Sequence, residues 1–270
     1  ENIRDDLESL LNGTKSEKNQ GSVSQKFVHT FISWDVLPYE EEQAHFGVVG
    51  QRIESLHSLL KGSAVIVTTP AGLMYPTCPR DQFELSLMPV KQGDTIDFEN
   101  FTETLILRGY ERLHAVEHPG HIAVRGGIVD VFVHGCEFPY RIEFWGDEVN
   151  SIRTFDPETQ RSIGGIDTIE ILPPAEILMD FGLERDSERR LKECENSHNI
   201  SLIDIREHLE HSDYTEGMEQ YLYILYGERS LVTDYLPEDT LVVYHHPAAV
   251  DSGFDHRAEE LEELYARFMK

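Results

Sequence analysis

The stretch PYRIEFWGDEVNSIRTF, residues 139–155, decides the reading of the fold. Side chains alternate between the two faces of a strand, so with Arg141 to Trp145 as a strand, Tyr140, Ile142 and Phe144 share one face and Arg141, Glu143 and Trp145 the other. The first set reads as core, whereas the second joins polar groups to one large aromatic and reads as an open face. Upstream, His121 to Val133 (HIAVRGGIVDVFV) is equally strand-like, and the two runs connect through His134, Gly135 and Pro139. Closely spaced strands with short turns describe an antiparallel sheet. Gly126-Gly127 interrupts the upstream run, and a β-bulge is the expected reason.

Outward from this sheet the texture changes. Leu105 to Tyr110 closes a short helix, and before Leu85 the pattern is different again. Phe27 to Trp34 (FVHTFISW) is a β-branched and aromatic strand, Val48 to Leu60 carries Val49, Ile53, Leu56, Leu59 and Leu60 at helical spacing, and Ala64 to Thr69 (AVIVTT) is nearly all apolar. Strand, helix and buried strand are the cadence of a parallel α/β layer. A helix with Ile3, Leu7, Leu10 and Leu11 on one stripe precedes it, followed by a polar loop from Gly13 to Gln25. Beyond Pro173 and Pro174, helices return over Leu183 to Cys194 and Asp204 to His211. Leu241 to Tyr244 (LVVY) follows as a buried-strand candidate, and an amphipathic helix with Leu261, Leu264, Tyr265 and Phe268 on one stripe closes the chain. The order predicts an α/β domain in two segments, residues 1–85 and 174–270, with a smaller β-rich α+β domain, residues 86–173, inserted between them.

The chain has 270 residues, 40% of them hydrophobic, with 50 acidic and 23 basic side chains and a net charge of −27. That field repels phosphate backbones, so unaided nucleic-acid binding is not expected. No apolar run reaches the ~18 residues of a membrane span, and the acidic start is unlike a signal peptide, so no membrane partner and a cytoplasmic location are expected. Cys78, Cys136 and Cys194 lack the spacing of a disulfide framework or a zinc site. A chain opening at Glu1 inside a helical pattern is expected to be a piece of a longer one.

Catalytic signatures are missing from the sequence: GxxxxGK[ST], GxGxxG, GxSxG and HExxH do not occur. Histidines approach one another at His114, His118 and His121 with Glu117, at His208 and His211, and at His245-His246, but without metal-ligand spacing. Solvated surface histidine is the plainer explanation. No enzyme activity, cofactor or metal is therefore expected.

Five stretches read together resemble the bacterial transcription-repair coupling factors, which are themselves similar to UvrB of nucleotide excision repair. They are SWDVLPYE (33–40), VVGQRIESL (48–56), GYERLHAVEHPGHIAVRGGIVDVF (109–132), PYRIEFWGDEVNSIRTFDPETQRS (139–162) and, more weakly, SLVTDYLPEDTLVVYHHP (230–247). The resemblance implies an N-terminal, UvrB-like module: a helicase-like domain of degenerate P-loop type in two segments, with an inserted UvrA-interaction domain. In UvrB-like ATPases an Asp-Glu pair follows the strand after the DYxPxD segment and holds magnesium; here Tyr244 and His245 stand there, and neither supplies a carboxylate. The DNA-inserting hairpin of UvrB corresponds to the short SWDVLPYE.

By motif position the resemblance carries UvrA contacts over to Arg125, Arg141 and Trp145, the last in a place where the family commonly has Phe. Arg and Trp are enriched in binding hot spots. The plainer explanations are a half-buried edge aromatic for Trp145 and, for the arginines, intramolecular ion pairs in an acid-rich chain. The expected function is a non-catalytic module that recruits UvrA to stalled transcription complexes. Its own motor domains would be a second partner, with RNA polymerase and DNA reached only through domains outside this chain. A divergent UvrB-like ATPase is the alternative, and a clamp on the motor domains a third possibility.

Overall fold

A computed structural model describes residues 2–12, 27–34, 46–62, 64–179, 183–198, 200–211, 214 and 217–268. The expected loop at 13–25 and most of SWDVLPYE lie outside these residues. Helix α1 (Asn2–Asn12) leads to β1 (Val28–Phe31), α2 (Phe46–Leu60) and β2 (Val65–Thr68), which pairs with β1 in parallel. The α2 stripe predicted from spacing is buried, with Ile53 and Leu56 fully enclosed. β2, expected to be buried on both faces, is instead partly exposed along its whole length. Among the described residues it has β1 as its sheet neighbour and no strand beyond it, so one edge and part of a face meet solvent.

Helices α3 (Pro70–Met74) and α4 (Arg80–Ser86) lead into β3 (Met88–Lys91) and α5 (Phe98–Leu107). A six-stranded sheet follows in simple sequence order: β4 (Glu111–Arg112), β5 (His121–Arg125), β6 (Ile128–Val131), β7 (Tyr140–Trp145), β8 (Glu148–Phe155) and β9 (Ser162–Gly165). All neighbours from β5 onward are antiparallel. β10 (Thr168–Ile171) then pairs back with β3. One face of the sheet carries Ile122, Val129, Val131, Tyr140, Ile142, Phe144, Val149 and Ile152 into a core shared with Phe101 and Leu105 of α5.

The expected bulge at Gly126-Gly127 is a two-residue hairpin turn instead, joining Arg125 to its partner Ile128. Gly126 has a left-handed φ of 59°, and glycine meets that demand of a tight hairpin without strain. Helices α6 (Leu183–His198), α7 (Ile203–Glu210), α8 (Leu222–Tyr226) and α9 (Pro247–Phe268) complete the chain. Leu241–Tyr244 is not a buried strand: it has no ladder partner among the described residues, and Leu241 and Val243 are 85% and 77% exposed. An apolar run becomes a strand only where an edge accepts its hydrogen bonds.

The chain's first and last portions are tied together directly. Thr77 N–H donates to Ser230 O at 2.9 Å, and Tyr235 Oη donates to Cys78 O at 2.8 Å. At the centre of this junction lies an ion pair with no surface exposure, Arg52 to Glu176 at 2.5 Å.

Candidate protein-interaction surface

The face of the sheet turned away from the core begins with a small apolar cluster, Val116, Ala123, Phe132 and Phe155. Above Phe155, at 4.1 Å from its ring, lies the Arg141 guanidinium. Arg141 Nε and Nη2 donate to the two Asp130 oxygens at 2.6 and 2.7 Å, a bidentate fork, and Nη2 also reaches Gln160 Oε1 at 2.9 Å. The hydrogen bonds to Asp130, with its negative charge, raise the arginine's pKa further above its ordinary value. Arg125 Nη2 donates to Asp130 Oδ2 at 2.6 Å from the neighbouring strand. One carboxylate thus serves two guanidinium groups. Next along the face, Glu143 accepts from Ser151 at 2.7 Å and pairs with Arg153.

Trp145 stands at the end of β7 with 83% of its surface exposed, whereas its neighbour Phe144 is 9% exposed and packs against Phe98 and Phe101. The Gly126-Gly127 turn lies alongside: Phe144 N–H donates to Gly127 O at 2.7 Å, and a Cβ on Gly127 would sit 2.7 Å from Phe144 O. This close approach sets Arg125 and Trp145 at the same end of the sheet. All three residues singled out from the sequence therefore project from one face, in different states. Trp145 is open, the Arg125 side chain is half-exposed at 51%, and that of Arg141 is largely enclosed at 14%. The intramolecular ion pairs weighed for the arginines are present. Asp130, which organises both, gave no sequence signal beyond its outward register in the strand.

Of the histidine groups, the His118 and His121 rings lie 5.6 Å apart and those of His245 and His246 4.2 Å apart. Tyr244 and His245 lie on the open segment between the helices, and among the described residues no three His, Cys, Asp or Glu side chains gather as metal ligands. No helix of the described residues is long and apolar enough to cross a membrane.

A cavity of about 640 Å³ lies between α2 and the sheet's loops, lined by Gly50, Glu54, His118, His121, His134 and Glu137 among others. His134 is structural: its Nε2 meets Pro174 O at 3.0 Å, and Gly50 comes so near the ring that a Cβ there would stand 2.8 Å from Nδ1. Burial lowers its pKa from 6.5 to about 4. The unfolded chain therefore binds the proton that the folded chain refuses, so this histidine's contribution is full above pH 6.5 and is lost as pH falls toward 4, a change of about 3 kcal/mol. Buried Glu219, raised to about 7, has the opposite sign: its penalty is relieved as pH falls through 7. Urea unfolding of His134→Gln beside the parent chain at pH 7 and pH 4.5 isolates the histidine. The stability difference between the two proteins should shrink or reverse at the lower pH, and a constant difference would contradict the assignment.

Residues 88–176, which contain this sheet, match the UvrB interaction domain family. The chain is also similar to transcription-repair-coupling factors. It is 29% identical to that of Haemophilus influenzae over 82% of this chain and 19% of the relative. Identity to the Mycobacterium tuberculosis protein is 31%, over 81% and 19%, and to the Bacillus subtilis protein 28%, over 99% and 22%. The chain thus spans about a fifth of the length of the curated relatives it matches.

Proposed function

With residues 88–176 a UvrB interaction domain and most of the chain related to transcription-repair-coupling factors, we propose that this is a non-catalytic module that recruits UvrA to stalled transcription complexes. The docking surface is the outer face of the six-stranded sheet. The observation that carries this reading is Trp145: a large aromatic left 83% exposed, at the same end of the sheet as a half-exposed arginine, in a chain that encloses most of its other aromatic side chains on that domain. Burying such a side chain against a partner removes some of the costliest exposed apolar surface on the molecule. On this reading the two segments around the sheet form a helicase-like scaffold of degenerate P-loop type, with boundaries at 1–85, 86–173 and 174–270. Motor domains, RNA polymerase and DNA are engaged through the remaining four-fifths of the full-length relatives.

Titration of purified UvrA into the chain tests the reading. Trp145→Ala should weaken binding by at least about tenfold, the scale of a central hot spot. Its stability should move by no more than about 0.5 kcal/mol, since the side chain packs against little in the free protein. Arg125→Ala should weaken binding as well. Arg141→Ala should both weaken binding and lower the melting temperature, because its fork holds a buried carboxylate. Unchanged affinity in Trp145→Ala would overturn the proposal.

A further inference from the structure

Asp130 sits on β6 opposite Arg141 of β7 and opposite Ala123 of β5, with its side chain 1% exposed. Its two oxygens accept three guanidinium hydrogen bonds at 2.6 to 2.7 Å. The two arginines it holds are not equivalent. Arg141 is enclosed, stacked on Phe155 and also bound to Gln160, so its fork is spent within the protein. Arg125 touches the same carboxylate through Nη2 and keeps half of its side chain in solvent, at the end of the sheet where Trp145 stands. One anion between two cations leaves a single positive charge, and Arg125 is the member placed to present it.

Resting on the reading of this face as the UvrA-docking surface, we propose that Asp130 is its positioning residue. It fixes Arg141 as the floor of the site and tethers the half-exposed Arg125 guanidinium on the same face, ready to receive a partner carboxylate. A guanidinium offers a rigid fork of donors, so one edge stays on Asp130 while another meets the incoming oxygen. Tethering a long, rotamer-rich side chain before binding removes part of the ordering cost that association otherwise incurs. The surface is therefore prepared for an acidic and apolar partner feature, in a chain whose net charge of −27 repels acidic surfaces elsewhere.

The test is a double-mutant cycle on UvrA affinity, using the whole chain at a temperature where circular dichroism shows each variant folded. Asp130→Asn should weaken binding roughly three- to tenfold. In an Arg125→Ala background the same substitution should have a clearly smaller effect, the remainder acting through Arg141, whereas general loosening of the sheet would leave the effect undiminished. Arg125→Lys, which keeps the charge and leaves Asp130 in place, should lose at least about threefold, since an ammonium lacks the planar fork. Affinity unchanged or raised in Asp130→Asn, an undiminished effect in the Arg125→Ala background, or wild-type affinity in Arg125→Lys overturns the positioning role. Should Asp130→Asn fail to fold, the lysine variant decides alone. Trp145→Ala separates the two levels: if it binds normally the docking surface itself is wrong, and if it binds weakly while the cycle shows no coupling, only the role of Asp130 falls.

Discussion

Arg52→Ala is expected to cost about 3–5 kcal/mol, the range for stripping one member from a buried ion pair. Arg52 and Glu176 both have no exposed surface. Arg52 Nε and Nη2 meet the two carboxylate oxygens at 2.5 and 3.3 Å, and the same guanidinium donates to Ile32 O at 2.9 Å and Pro76 O at 3.0 Å. The rings of Phe31 and Trp34 lie 4.3 and 4.4 Å from its central carbon, so the cation is also held between aromatic neighbours. Truncation would leave the Glu176 carboxylate enclosed with the Cys78 N–H, at 3.1 Å, as its remaining close donor among the described residues, and would remove the donor from two carbonyl oxygens. For a domain stabilised by ~5–15 kcal/mol this is a large fraction of the total.

The double change Arg52→Met with Glu176→Leu should recover much of the loss, because the desolvation penalty disappears along with the charges. Recovery stays incomplete, since Ile32 O, Pro76 O and Cys78 N–H still lack partners. Urea unfolding midpoints of the three proteins provide the measurement. A single mutant as stable as the parent would mean that water reaches the pair.

Phe144→Ala should destabilise by about 3–5 kcal/mol, in sharp contrast to the adjacent Trp145→Ala. Phe144 fills the space between the sheet and α5, with ring centroids 5.2 Å from Phe98 and 5.5 Å from Phe101. Removing it takes away two aromatic contacts as well as the buried area. Thermal unfolding of the two alanine variants side by side reads the face assignment directly. Should Trp145→Ala melt early and Phe144→Ala melt normally, the strand would be turned over and the interaction surface would lie on the opposite face.

That face assignment was legible in six residues. In YRIEFW the period of two is a property of the extended backbone itself, and Tyr140, Ile142 and Phe144 are buried at every alternate step. The α2 stripe was legible for the same reason, since Val49, Ile53, Leu56 and Leu59 recur at helical spacing and all are buried. In both elements the information is local, because backbone geometry alone decides which side chains share a side. Trp145 as an exposed residue followed from that periodicity.

What the sequence concealed depends on partners far along the chain. Arg52 lies on the same helix, and its burial rests on partners far from it in sequence, above all Glu176, 124 positions away. Leu241–Tyr244 has the composition of a core strand, but pairing is supplied by a neighbouring edge, and among the described residues none is offered. Asp130, Arg125 and Arg141 are separated by five and eleven residues, and it is the register of β5, β6 and β7 that turns three ordinary surface charges into one network. Periodicity is written in the backbone and was determined by sequence alone. Which charges meet, and which apolar runs find an edge, was decided only by the tertiary fold, because electrostatic pairing and strand pairing act through space between segments that the order of residues leaves apart.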